Sequence, residues 1–140
     1  MITWTQSEDM RFRVNDAGKV KEWLSNEVAF HGHTVDRIQM IWMSDAGIHE
    51  MNKTYLNHDY PTDIITFDYA EGKGPLSGEL FISIDRVKEQ AKTWEASFRD
   101  EFHRVMVHGI LHLMGYTDAT PEQQAEMRKA EDAALARRLF

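Results

Sequence analysis

The sequence predicts an α+β fold: a single domain, residues 1–140, with about four strands in a mixed sheet packed with about five helices. Three observations lead there. The chain has 140 residues, 42% of them hydrophobic, which suits one core and leaves no room for a second domain of useful size. Short apolar runs of strand character alternate with segments of helical period. Strands separated by a helix imply at least one parallel pair.

The elements follow in order, with short connections and no repeat. Residues 2–5 read as extended. So do residues 10–14, where Met10, Phe12 and Val14 alternate with Arg11 and Arg13. Asp16 is placed to cap a helix through about Phe30, with Val20, Trp23, Leu24 and Val28 on one face. Residues 37–43, RIQMIWM, read as a buried strand. Ser44 and Asp45 then offer an N-cap to a helix whose stripe is Ile48, Met51, Tyr55 and Leu56. Residues 57–63, NHDYPTD, form a loop by their Asn, Asp and Pro. Residues 64–69 and 79–84 are strands on either side of a glycine-rich loop. Asp85 is placed to cap a helix bearing Val87, Ala91 and Trp94, and Trp42 and Trp94 are expected in the core. Ser97 opens a further helix, with Asp100 three residues on, and Gly115 closes it as the usual C′ residue. Thr120, Pro121 and Gln123 start the last helix, which runs to about Leu139.

Composition narrows the function. No apolar run approaches the roughly 18 residues that cross a bilayer. The N-terminal stretch MITWTQSEDMRFRV lacks the pattern of a secretory signal. With no cysteine, disulfides and thiolate metal sites are excluded, in keeping with a cytoplasmic setting. The net charge of −7 argues against a broad, non-specific nucleic-acid binder. The clusters Arg11, Arg13, Lys19, Lys21 and Arg86, Lys88, Lys92 read as solvated faces.

Chemistry concentrates in residues 108–118, HGILHLMGYTD. His108 and His112 stand four apart, so their rings share one helix face, about 110° from the centre of the apolar stripe. The pair alone is weak, because about one shuffled sequence in three contains an HxxxH. Glycine three residues on and aspartate three further lower the expectation to about 0.002. Gly115 can take positive φ and turn the chain back, bringing Asp118 beside the imidazoles. Two neutral nitrogens and a carboxylate, with a fourth position for water, make a catalytic type of zinc site. This is a zincin-like helix, but Gly109 stands where a zincin peptidase carries its glutamate base, which argues against peptide hydrolysis.

These residues resemble the signature of the YbeY family of bacterial rRNA maturation factors, close to HGxLHLxGYDH, at His108, Gly109, Leu111, His112, Leu113, Gly115 and Tyr116. Residues 51–67, MNKTYLNHDYPTDIITF, resemble the family's LN…PTDVLSF segment at Asn52, Tyr55, Pro61, Thr62, Asp63 and Phe67. Residues 77–91, SGELFISIDRVKEQA, resemble a third block. The blocks keep their order over most of residues 36–118.

The resemblance implies a zinc-dependent, single-strand-specific endoribonuclease acting in 16S rRNA 3′-end maturation and ribosome biogenesis. It implies one Zn²⁺ held by His108, His112 and Asp118, with His108 at the catalytic centre. The implied partners are single-stranded rRNA and the ribosome or its small-subunit proteins. Three departures stand out. Asp118 occupies the family's third histidine position, and Leu56 occupies that of an arginine suited to clamping phosphate. Lys53, one turn earlier, and His58 are the candidate substitutes for that arginine. Gly78-Glu79 stands for Gly-Asp. The loss of the arginine supports an alternative: a metal-binding ribosome assembly factor with little catalysis. A metallopeptidase is the remaining reading, opposed by Gly109.

Overall fold

A computed structural model describes residues 1–58 and 62–140. Pro61, one of the family-like positions, lies outside the described residues, as do Asp59 and Tyr60 of the expected 57–63 loop. The order is β1 (Ile2–Gln6), α1 (Ala17–Phe30), β2 (Val35–Met43), α2 (Asp45–Leu56), β3 (Ile64–Asp68), β4 (Leu76–Ser83), α3 (Ile84–Thr93), α4 (Phe98–Leu113) and α5 (Pro121–Ala136). The sheet runs β1-β2-β4-β3. β2 pairs parallel with β1 and β4, and β3 is antiparallel to β4. The expected four-stranded mixed sheet with five helices is therefore present.

Burial in the central strands has period two. Ile38, Met40 and Trp42 of β2 are buried and aligned with Gly78, Leu80 and Ile82 of β4, while Gln39, Ile41, Glu79 and Phe81 are only partly covered. One sheet face thus carries the core. α4 completes it with Phe102, Val105, Met106, Ile110 and Leu113. α5 is fastened across it. The Trp23 indole donates to the Ala134 carbonyl at 2.9 Å, and Arg137 donates twice to the buried Glu27 at 2.6 and 2.8 Å.

Several local expectations change. Residues 10–14 form no strand. β1 already pairs with β2, and the segment crosses the core instead. Its alternation is real: Val14 is buried and the Phe12 ring lies 5.1 Å from Phe102 and 5.9 Å from Trp42. Asp16 precedes α1 in a left-handed conformation, with no capping bond from its side chain. Ser83, not Asp85, caps α3, while Asp85 accepts from the Asp45 backbone N–H at 2.9 Å. The buried face of α2 is Ile48 and Asn52; its last turn exposes Tyr55 and Leu56. Trp94 is 69% exposed rather than core. α3 ends at Thr93 and Glu95 takes φ 53°, so the chain turns before Trp94 can join the Val87–Ala91 face. α5 stops at Ala136, and Leu139 is exposed.

His103 makes the fold sensitive to acid. It is buried on α4, and its Nδ1 accepts from Arg138 Nη1 at 2.8 Å, so the ring is neutral. Burial, helped by Arg138 and Arg99 and opposed by Asp100 and Asp16, lowers its pKa to about 4. An unfolded histidine takes up its proton near pH 6.5. Its contribution is therefore complete above about pH 6.5 and is lost as the pH falls toward 4, at about 1.4 kcal/mol per pH unit. Denaturant unfolding at stepped pH should show this slope, about 3 kcal/mol in all, reduced in His103→Asn. Equal pH dependence in the two proteins would contradict it.

Candidate metal centre

Ser97 starts α4 by accepting from the Asp100 backbone N–H at 3.0 Å. The helix ends in a Schellman turn. Gly115, at φ 105°, donates to the His112 carbonyl, and Tyr116 donates to the Leu111 carbonyl, each at 3.0 Å. This turn does two things for the site. It returns the chain so that Asp118 faces the histidines. It also aims the Tyr116 carbonyl at His112, whose Nδ1 donates to it at 3.0 Å.

His108 is oriented from α5. Its Nδ1 donates to Glu131 Oε2 at 2.6 Å, and the buried Glu131 also accepts from Arg104 Nη1 at 3.0 Å. With both Nδ1 atoms donating, both Nε2 atoms present lone pairs. They face each other at 3.1 Å. Asp118 Oδ2 lies 3.4 Å from His108 Nε2 and 3.5 Å from His112 Nε2. Two lone pairs and a carboxylate converging this closely repel one another unless a proton or cation lies between them. Tetrahedral zinc with N/O bonds near 2.0–2.1 Å sets its donors about 3.3–3.4 Å apart. The triangle fits such an ion, and these are the residues that could hold a metal. The histidines are about one quarter exposed, on the shoulder between core and solvent that helical spacing predicts.

Burial opposes protonation of His108. The Glu131 bond and charge, with Asp63 and Asp118, outweigh it and hold the pKa above the ordinary histidine value. A proton thus competes with a metal for the ring as the pH falls.

Glu131 is the residue that sequence reasoning missed. Its signal was a lone acid on the inward face of α5, four after Met127 and three before Ala134. A carboxylate on the far nitrogen fixes the tautomer and raises the basicity of a ligating histidine. Glu131→Gln should weaken zinc affinity by about 10–100-fold, measured by competition with an indicator chelator. Parental affinity would reduce Glu131 to a partner of Arg104.

Two recesses meet at His108 and Asp118. A cleft of about 470 Å³ is lined by Leu56, His58, Thr62 and Asp63 together with the triad. His58 thus lies beside the donors, whereas Lys53 is exposed on α2 and is not among the cleft residues. Glu79 lies outside, accepting from the Tyr69 hydroxyl at 2.5 Å. A smaller recess of about 260 Å³ opens on the other side, between α3, α4 and α5.

Gly109 faces the sheet. A Cβ there would stand 2.7 Å from Ile64 Cδ1 and 2.9 Å from Leu80 Cδ1. The residue after His108 is therefore a packing position, set against Ile64 of β3 and Leu80 of β4.

A family model described as Endoribonuclease YbeY matches residues 4–138. Curated relatives of that name include one from Cytophaga hutchinsonii, 41% identical over 133 residues, 95% of this chain and 93% of the relative. Another, from Bacteroides thetaiotaomicron, is 44% identical over 138 residues, 99% of this chain and 100% of the relative. The solution structure of TM1509 from Thermotoga maritima is similar with a TM-score of 0.63 at 26% identity, covering 97% of this chain and 90% of that one.

Proposed function

This chain belongs to the Endoribonuclease YbeY family, and from that premise we propose that it hydrolyses single-stranded RNA at a zinc centre held by His108, His112 and Asp118. The substrate we assign is rRNA, in 16S 3′-end maturation on or beside the small ribosomal subunit. One observation carries the site: three donor atoms within 3.5 Å of one another, both histidines turned Nε2-inward by bonds to Glu131 and Tyr116.

A zinc ion bound there supplies Lewis acidity toward a phosphoryl oxygen and lowers the pKa of water. The protein's part is placement. Glu131 and the Tyr116 carbonyl hold the rings, and Asp118 neutralises part of the ion's charge. Leu56 gives the cleft an apolar wall where a clamping arginine would stand, and Asn52, His58, Thr62 and Thr66 are the described side chains beside it that carry N–H or O–H groups. Gly109 argues against the peptidase alternative, because glycine supplies no base at that position. No described helix is long and apolar enough to cross a membrane, and the setting we assign is the cytoplasm.

The purified chain should carry about one zinc and cut single-stranded RNA in preference to duplex, with activity lost to a chelator and restored by zinc. Cleavage indifferent to the chelator would exclude the metal mechanism. Leu56 and the absence of Lys and Arg, among the described residues, from the α2-side cleft favour a second reading, assembly of the small subunit with little catalysis. Rescue of rRNA processing in cells by a metal-free variant would select it.

A further inference from the structure

We propose that Trp94 and Arg128 form a second nucleotide subsite beside the metal centre, where the indole stacks on a base of the single-stranded substrate and the guanidinium holds the adjoining phosphate. The proposal rests on RNA being the substrate.

The first observation is an asymmetry of charge. The two recesses share Asp63, His108 and Asp118, so a strand laid across the donors passes from one into the other. On the α2 side the lining includes Asp63, Asp68 and Asp118 and, among the described residues, no lysine or arginine. A polyanion entering there meets three carboxylates and no guanidinium or ammonium, with Asn52, Thr62, Thr66 and the histidines as the other polar groups. The α5 side also has carboxylates, Asp63, Glu101, Asp118 and Glu131, but sets two arginines among them, Arg104 and Arg128. Arg104 is committed, with Nη1 on Glu131 at 3.0 Å and Nη2 on Asp132 at 2.7 Å. Arg128 is exposed and enters no hydrogen bond or ion pair among the described residues. It is the guanidinium of this recess available to a phosphate, and its planar fork suits one.

The second observation is Trp94. It lines the same recess yet is 69% exposed, with no aromatic neighbour among the described residues. Trp23 and Trp42, by contrast, are buried. An uncovered indole at the mouth of a recess that ends on metal ligands is a platform for a flat apolar face. Every nucleobase has one, so such a platform needs no particular sequence. Gln90, one turn earlier on α3, lines the recess too and brings an amide to the edge of a stacked base. Duplex RNA keeps its base faces covered, so a stacking site selects unpaired strands.

The test titrates a short single-stranded RNA into the zinc-loaded chain and its variants, reading tryptophan emission and the anisotropy of a labelled strand. The parent's emission should be quenched on binding. Trp94→Phe should keep most of the affinity and lose most of the quench. Trp94→Ala should weaken binding by at least about fivefold, with zinc content and thermal unfolding unchanged. The same strand built with abasic sites should be indifferent to Trp94→Ala but still weakened by Arg128→Ala, which should also lower the salt slope by about one. If both alanine variants bind and cut like the parent, the subsite is overturned while the nuclease stands. If Trp94→Ala instead loses contact with a ribosomal protein and keeps its RNA affinity, the stacking role is likewise overturned. A parent that neither binds nor cuts RNA would remove both this subsite and the function it rests on.

Discussion

His112→Ala is expected to lower cleavage of single-stranded RNA by at least about a thousandfold and to remove the bound zinc. The Nε2 of His112 is one corner of a triangle with sides of 3.1, 3.4 and 3.5 Å. Removing it leaves one nitrogen and one carboxylate, too few to hold zinc against solvent. The same change deletes the bond from Nδ1 to the Tyr116 carbonyl, which ties the Gly115 turn to the helix. Asp118 then loses part of its orientation as well. The ring is partly exposed, so the fold should survive, and elemental analysis can be read on intact protein. Asp118→His is the informative companion. It should retain zinc and move the acid limb of the pH–rate profile downward, because a neutral donor leaves more positive charge on the ion. A His112→Ala protein with one zinc per chain and the parental rate would exclude the assignment.

The site was legible where chemistry and backbone geometry shared one stretch of sequence. His108 and His112 face the same way because of helical spacing. Gly115 closes the helix because only a turn at positive φ satisfies the last carbonyls there. Asp118 follows from the turn. Likewise, Ser97 and Thr120 were legible as caps, since capping depends on residues three apart. What escaped depends on partners far along the chain. Glu131 meets His108 across 23 positions, and nothing in α5 alone says which face reaches α4. Trp94 looked like core because its spacing continued the α3 stripe, but the helix ended one residue too soon. Tyr55 and Leu56 continued the α2 stripe into a last turn that no neighbouring element covers closely enough to bury. Alternation at residues 10–14 reported correctly which side chains turn inward. It could not report whether a neighbouring strand was free to pair.

Gly109→Glu, which would write a peptidase's HExxH into α4, is expected to unfold the protein rather than confer a new activity. The helix lies so close to the sheet at Gly109 that a single Cβ would come within 2.7 Å of Ile64 and 2.9 Å of Leu80. Leu80 is fully buried and Ile64 is partly buried against the core, so the terminal methyl of Ile64 has room to shift, whereas that of Leu80 moves only by disturbing its neighbours. Overpacking of this kind costs about 1–3 kcal/mol. A carboxylate brings a second cost, because the atoms nearest the Cβ position of Gly109 are aliphatic and a charge held among them is desolvated. Together they exceed about 4 kcal/mol, a large part of the stability of a domain this size. Chemical denaturation should place the midpoint far below the parent's, or soluble protein should not be recovered. Gly109→Ala separates the terms: it carries the steric cost alone, partly offset by the better helix propensity of alanine, and should fold. A Gly109→Glu protein of parental stability would mean that the side chain reaches solvent or the metal, and the case against a peptidase would lose its structural basis. The glycine therefore sets where α4 sits on the sheet, and with it the height at which His108 and His112 meet Asp118.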